Sequence, residues 1–185
     1  SATSSTGALS LSLADTNPTD LTVTANTSIA SFSVVEDSGV AQVKDITAPT
    51  FTGGVAVDGA TTDITYKLVA TDGVSTGLQT TDGGHAITLK VAADGYTVDG
   101  VYTAGGTEHI AFTVSVDNTT DQVSFTSFDA LEHDNTQGAG EINTLNLNDL
   151  ISLDATITVT DGDGDVVSAT SSTGALSLSL ADTNP

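Results

Sequence analysis

Residues 153–167 read LDATITVTDGDGDVV. Leu153, Ala155, Ile157 and Val159 alternate with polar residues, which is the period-2 signature of a half-buried strand. A second strand signal begins at Val166 and Val167. Between them Asp161, Asp163 and Asp165 are separated by Gly162 and Gly164, and Asp-Gly is a dipeptide of tight hairpin turns. The stretch therefore predicts strand, acidic turn, strand. Three carboxylates two residues apart repel one another, and the glycines let their oxygens converge. That arrangement is costly unless a cation sits among them, and Ca²⁺ takes six to eight oxygens from such clusters.

The same alternation recurs along the chain. Leu9, Leu11 and Leu13 show it, as do Leu176, Leu178 and Leu180. Ala30, Phe32 and Val34 form another face, followed by Ile64, Tyr66 and Leu68, then Ile87, Leu89 and Val91. Val98 with Val101 or Tyr102 is expected around a turn at Asp99-Gly100. Ile110, Phe112, Val114 and Val116 give the strongest alternation, and Val123 with Phe125 pairs back after a turn over residues 117–121. Only residues 128–133 and 147–150 suit a short helical turn. Seven Asp-Gly dipeptides, at Asp58, Asp72, Asp82, Asp94, Asp99, Asp161 and Asp163, mark turns expected to hold positive φ. Many short strands with turn signals between them predict an all-β fold, an elaborated immunoglobulin-like β-sandwich with an extra hairpin around residues 70–105. Two closely packed subdomains are the second choice.

Composition agrees and excludes. The chain has 185 residues, 24 Asp plus Glu against 3 Lys plus Arg, and a net charge of −21. Of the acids 20 are Asp and 4 are Glu, a bias against helices and toward turns and hard cations. So acidic a chain does not neutralise phosphates, and no nucleic-acid partner is expected. There is no Cys, hence no disulfide and no thiolate chemistry. No apolar run approaches the ~18 residues that span a bilayer, so no membrane insertion is expected.

The chain repeats itself. Residues 1–18 read SATSSTGALSLSLADTNP, and residues 168–185 read the same eighteen letters at an offset of 167. Chance does not produce such a match. One reading is a duplication placed at the two ends by design. The other, preferred here, is one period plus overlap of a tandem array of ~167-residue units. On that reading residues 1–18 are the end strand and linker of a preceding repeat, and residues 19–185 form one sandwich. The partners are neighbouring identical repeats. Residues 13–19 (LADTNPT) look like the junction, where Asn17-Pro18 breaks a ladder because proline has no amide proton.

The acidic turn fits no named calcium loop. As an EF-hand it would place Val166 and Ser172 where Gly and Glu are needed. The glycine-rich nonapeptide of calcium β-rolls is absent. A solvated hairpin turn is the alternative to a calcium site. In an immunoglobulin-like sandwich the turn between the last two strands lies where the chain enters. Asp15 and Asn17 of the linker are then candidate ligands beside Asp161, Asp163 and Asp165. Asp182 would serve the following junction, and Glu36 and Asp37 could add oxygens.

Residues 159–170 (VTDGDGDVVSAT) followed by 178–185 (LSLADTNP) resemble the repeat ends of very large bacterial adhesins exported by type I secretion. The order DITYKLV, GVSTGLQTTDGG, ITL, VDGVYTAGG, FTVSVDN, FDALEH through the middle is similar to their 140–170-residue repeats. The resemblance covers most of residues 55–182. It implies an extender module of a repeats-in-toxin adhesin at the bacterial cell surface, with calcium bound at the linkers. It carries Asp161, Asp163, Asp165 and the linker Asp15 over as ligands. Asn17, where an acid is frequent, and the Ser/Thr run at 168–173 depart from the pattern.

Other functions find less. His85, His109 and His133 lie 24 residues apart and share no HxH or HxxxH pair, so they read as isolated surface residues rather than a zinc site. With 8 aromatic residues and no Trp, stacking of a sugar beside a carboxylate pair is poorly supported. No enzyme and no small-molecule substrate are expected. A ligand-binding module of the same adhesin, gripping carbohydrate or a surface, is the alternative. Thr156, Thr158 and Thr160 make a TxTxT row that suits an exposed strand face, and residues 131–141 (LEHDNTQGAGE) are the candidate local site.

Overall fold

The computed structural model describes residues 18–35, 38–53, 59–132, 142–145, 150–172, 176 and 178–181. These contain sixteen strands and no helix. Five open the described chain: β1 (Thr22–Ala25), β2 (Ser28–Ile29), β3 (Phe32–Val35), β4 (Gln42–Thr47) and β5 (Thr50–Thr52). The middle holds β6 (Thr61–Ala70), β7 (Ser75–Thr80), β8 (Ala86–Val91), β9 (Thr97–Ala104), β10 (Thr107–Asp117) and β11 (Gln122–Ser127). Then come β12 (Leu131–Glu132), β13 (Ile142–Leu145), β14 (Ile151–Thr160), β15 (Val166–Ser172) and β16 (Leu178–Ala181).

Two layers form a sandwich. One is an eight-stranded sheet in the order β12-β7-β8-β9-β10-β11-β4-β2, and a three-stranded sheet, β15-β14-β6, faces it. Ile151, Leu153 and Ala155 of β14 and Tyr66 and Leu68 of β6 share one core cluster with Ile87, Leu89, Val98, Phe112, Val114 and Phe125 of the large sheet. Alternation is what places them. Leu153 pairs with Leu68 and Ala155 with Tyr66, so both strands turn their apolar sets to the same side. Burying each large side chain contributes about 1.5–3 kcal/mol. β14, central in its sheet, is buried at every second residue from Ile151 to Val159.

The β9–β10 pair departs from simple alternation. Ile110 pairs with Val101 and Phe112 with Gly100, which leaves Ala111 as an extra residue in a bulge. The bulge shifts the phase: Ala111 and Phe112 are both buried, while Ile110, expected inward, is 45% exposed. The expected turn at Asp99-Gly100 is also corrected, since both residues lie inside β9. A Cβ on Gly100 would stand 2.2 Å from the Phe112 ring. That glycine serves close packing and not a turn. Of the seven Asp-Gly dipeptides, five do carry positive φ, at Gly59, Gly73, Gly83, Gly95 and Gly164.

Two further expectations change. Residues 70–105 form three strands of the large sheet, β7, β8 and β9, where one added hairpin was expected. Residues 128–132 hold no helical turn: the Phe128 N–H donates to Ala111 O at 2.8 Å, and Leu131 pairs with Thr80 on β7. Burial of Leu131 against the core favours the extended pairing. Residues 147–149, the other candidate turn, lie outside the described residues.

β1 runs antiparallel to β5 and β2 to β4, with Thr22 opposite Thr52 and Ser28 opposite Thr47, and β3 is tied to β4 by the Ser33 N–H donating to Gln42 Oε1 at 2.6 Å. β16 lies between β13 and β3, parallel to β3, with Ala181 beside Val35. β1 runs alongside β15, and the Thr27 N–H donates to Ser171 Oγ at 3.1 Å. Beyond β15 the Leu176 N–H donates to Ile151 O at 3.0 Å, so the chain has by then reached the end of β14 away from the acidic turn. Residues 168–172 and 178–181, part of the second copy of the repeated segment, make up most of β15 and all of β16.

Candidate metal centre

β14 and β15 pair from Asp154–Ser172 to Thr160–Val166, and the five residues between them turn the chain. The turn is held by its own acids. The Asp161 N–H donates to Asp165 O at 3.0 Å. Asp161 Oδ1 accepts from the N–H of Gly164 at 3.1 Å and of Asp165 at 2.8 Å. Gly164 supplies the positive φ, +102°, that lets the loop fold back on the carboxylate.

This leaves Asp161 in an unusual position. The residue is 6% exposed, and Oδ2 is buried with no hydrogen-bond partner. A buried carboxylate oxygen left unpaired costs free energy on the order of a lost hydrogen bond to a charged group. No lysine relieves it. The ion pair recorded among the described residues joins Lys90 to Glu108, and Lys67 lies over the Tyr96 ring at 5.7 Å. Instead Asp163, exposed, and Asp165, half-buried, bring more negative charge. One carboxylate oxygen from each of Asp161, Asp163 and Asp165 lies within 4.8 Å of the others. At that separation each pair repels by about 3 kcal/mol at an effective dielectric of ~20, less for Asp163, which faces water.

The donor set is all oxygen, which suits a hard cation such as Ca²⁺ or Mg²⁺ and not a metal that prefers nitrogen or sulfur. Three carboxylates fall short of the six to eight oxygens that Ca²⁺ takes, so a bound ion needs loop carbonyls, water or further acids. Asp15, Asn17, Glu36, Asp37 and Asp182, the other candidate ligands, lie outside the described residues.

Elsewhere the structure unites residues read as isolated. His85 and His109 both stack on Tyr102, with ring centroids 5.5 and 5.2 Å away and planes 15° and 19° apart. A cavity of about 150 Å³ lies beside this stack, lined by Thr80, Asp82, His85, Tyr102 and Asp129 among others. Burial, then a hydrogen bond to Asp129 and the charges of Asp129 and Asp82, pushes the Tyr102 phenol above its ordinary pKa. The signal for the Tyr102–His109 contact was the Gly105-Gly106 turn, since a two-residue loop pairs Ala104 with Thr107 and so Tyr102 with His109. His133 lies outside the described residues. The TxTxT row sits on the outer face of β14, where Thr156 Oγ1 and Thr170 Oγ1 are 3.2 Å apart.

Comparison with known proteins adds one match. No curated protein and no solved structure matches the chain. The model of one family, a domain of unknown function termed DUF5801, matches residues 31–174, which span β14, the acidic turn, β15 and most of the core. The chain belongs to the DUF5801 family.

Proposed function

We propose that this domain is a structural extender of a bacterial cell-surface adhesin, stiffened by Ca²⁺ held at Asp161, Asp163 and Asp165. The observation that carries the reading is Asp161 Oδ2, buried and unpartnered beside two more carboxylates. A divalent cation would satisfy that oxygen and offset the repulsion. The mechanical part is supported by the exact repeat of residues 1–18 at 168–185, which fits like units joined in series. An acidic linker arriving at the turn, as Asp15 and Asn17 would, could complete the ion's oxygens and fix the angle between units. The adhesin and export part rests on the resemblance of residues 55–182 to repeats-in-toxin extender modules.

The energetics fit an extracellular switch. For a site with Kd of ~10⁻⁴–10⁻³ M in calcium of about 10 mM, binding stabilises the fold by about 1–3 kcal/mol. Where calcium is scarce the same acids repel and loosen the junctions, which suits export. The test is a thermal melt with calcium and with chelator, joined to small-angle scattering of a four-repeat chain. A melt that rises several degrees with calcium and a maximum dimension that grows support both parts. An unchanged melt rejects the ion, and a raised melt with an unchanged dimension rejects the stiffening. A ligand-binding module is the second reading, favoured by the cavity beside Tyr102. Carbohydrate-array binding that a Tyr102→Ala variant loses would select it.

A further inference from the structure

We infer that β15 pairs edge to edge with β15 of a second copy of this chain, antiparallel about a two-fold axis at Ser168, so that two three-stranded sheets join into one. This pairing needs neither the ion nor an adhesin.

The first ground is an open edge. In an antiparallel ladder, facing residues alternate between pairs that exchange main-chain hydrogen bonds and pairs that do not. The Asp161 N–H donates to Asp165 O, so that pair is a bonded one. Counting on by two, Val159–Val167, Ile157–Ala169 and Ala155–Ser171 are bonded as well. Val166, Ser168 and Thr170 therefore turn their N–H and C=O groups away from β14, and β15 is the last strand of its sheet. β6 is the opposite edge, and the same alternation carried across β14 makes Tyr66 and Leu68 its outward residues. There the edge is capped, by the Asn118 side chain at Tyr66 and by Gly95 O at the Leu68 N–H. On β15 no described residue caps the main chain of Val166, Ser168 or Thr170. β1 reaches this strand only farther on, where the Thr27 N–H donates to Ser171 Oγ.

The second ground is what β15 is made of. Edge strands are commonly protected by lysine, proline, a bulge or a covering segment. β15 reads VVSATSS, without charge or proline, and its register with β14 is unbroken. Its first residue, Val166, is 61% exposed.

The third ground fixes the orientation. At a net charge of −21 two copies repel, so a stable pairing has to keep their acids apart. Parallel strands would set two Asp161–Asp165 turns abreast. Antiparallel strands with Ser168 opposite Ser168 set Val166 against Thr170 of the partner, where methyl meets methyl. Asp165 then faces residue 171 of the partner, six residue steps from the partner's Asp165. That is roughly 20 Å at ~3.3 Å per step, about twice the screening length at 0.1 M salt. The contact with β1 at Ser171 lies outside the paired stretch.

Ser168 meets itself across the axis, so charges placed there are diagnostic. Its side chain is exposed and its N–H points outward, so substitution spares the ladder to β14. Sedimentation of the wild type should show a mass that rises with concentration and levels off at twice that of the monomer. Ser168→Lys and Ser168→Glu each bring like charges face to face and should stay monomeric where the wild type is dimeric. Mixed in equal amounts, the two variants should sediment as a dimer. The chain has no cysteine, so Ser168→Cys should form an interchain disulfide on oxidation. Thr170→Cys should not, because its two copies would stand four steps, roughly 13 Å, apart. A wild type that stays monomeric up to about 1 mM, a mixture no heavier than either variant, or equal crosslinking of the two cysteines would overturn the pairing. Masses that climb past the dimer would overturn it too, since they mark a head-to-tail contact between unlike edges.

Discussion

Asp165 donates its main-chain N–H to Asp161 Oδ1 at 2.8 Å and returns its carbonyl oxygen to the Asp161 N–H at 3.0 Å. Asp161 thus shapes the turn with one oxygen and keeps the other, Oδ2, buried and free. Two substitutions separate these roles. Asp161→Asn can keep the loop bonds, because an amide oxygen accepts as a carboxylate does, but it removes the charge. Its calcium affinity should fall at least tenfold by titration calorimetry, with the chelated melt little changed. Asp161→Ala loses the loop bonds too and should cost about 1–3 kcal/mol even in chelator.

Gly100 beneath Phe112 gives a packing prediction. An added Cβ at 2.2 Å from the ring forces Phe112 or the strand to move. Phe112 also stacks on Phe125, centroids 5.4 Å apart, and is fully buried, so little room exists. Gly100→Ala should destabilise by about 1–3 kcal/mol in denaturant unfolding. Adding Phe112→Leu should cost less in that background than alone, since neighbouring sites are coupled.

What could be read from the sequence divides along physical lines. Strands whose alternation is uninterrupted, such as β14 with Leu153, Ala155, Ile157 and Val159, were legible because one buried face leaves a period of two. Ile110 was misplaced because a bulge at Ala111 inserts one residue, and a bulge leaves no mark on hydrophobicity. Asp99-Gly100 was misread because glycine serves both turns and close contacts, and the contact here is with Phe112, a residue twelve positions away. The acidic turn was legible because all its parts are adjacent in the chain. The burial of Asp161 and the stacking of His85 on Tyr102 were not, since each depends on strands distant in sequence.

Asn118 is a case no local pattern announces. It caps the edge of β6 as a neighbouring strand would, its Oδ1 accepting from the Tyr66 N–H at 2.6 Å and its Nδ2 donating to Tyr66 O at 3.1 Å. Removing the side chain leaves two main-chain groups half-buried and unpaired. Asn118→Ala should destabilise by about 1–3 kcal/mol. Amide hydrogen exchange at Tyr66 should quicken more than at Leu68, whose N–H is held by Gly95 O at 2.8 Å.

Tyr66 itself gives the alkaline limb. Burial of its phenol, and next the negative charge of Asp121, raise its pKa above the ordinary 10.0. Above pH ~10 the unfolded chain loses the phenolic proton while the folded chain keeps it, so stability falls as pH rises. The contribution is fully present below the unfolded pKa and is lost as pH climbs through the folded one. Tyr66→Phe removes that proton from both states. Its unfolding free energy should therefore decline less steeply than the wild type's from pH 9.5 to 11.5, at a small constant difference below pH 9. Parallel curves across the whole range would mean that the phenol ionises as readily in the fold as in water.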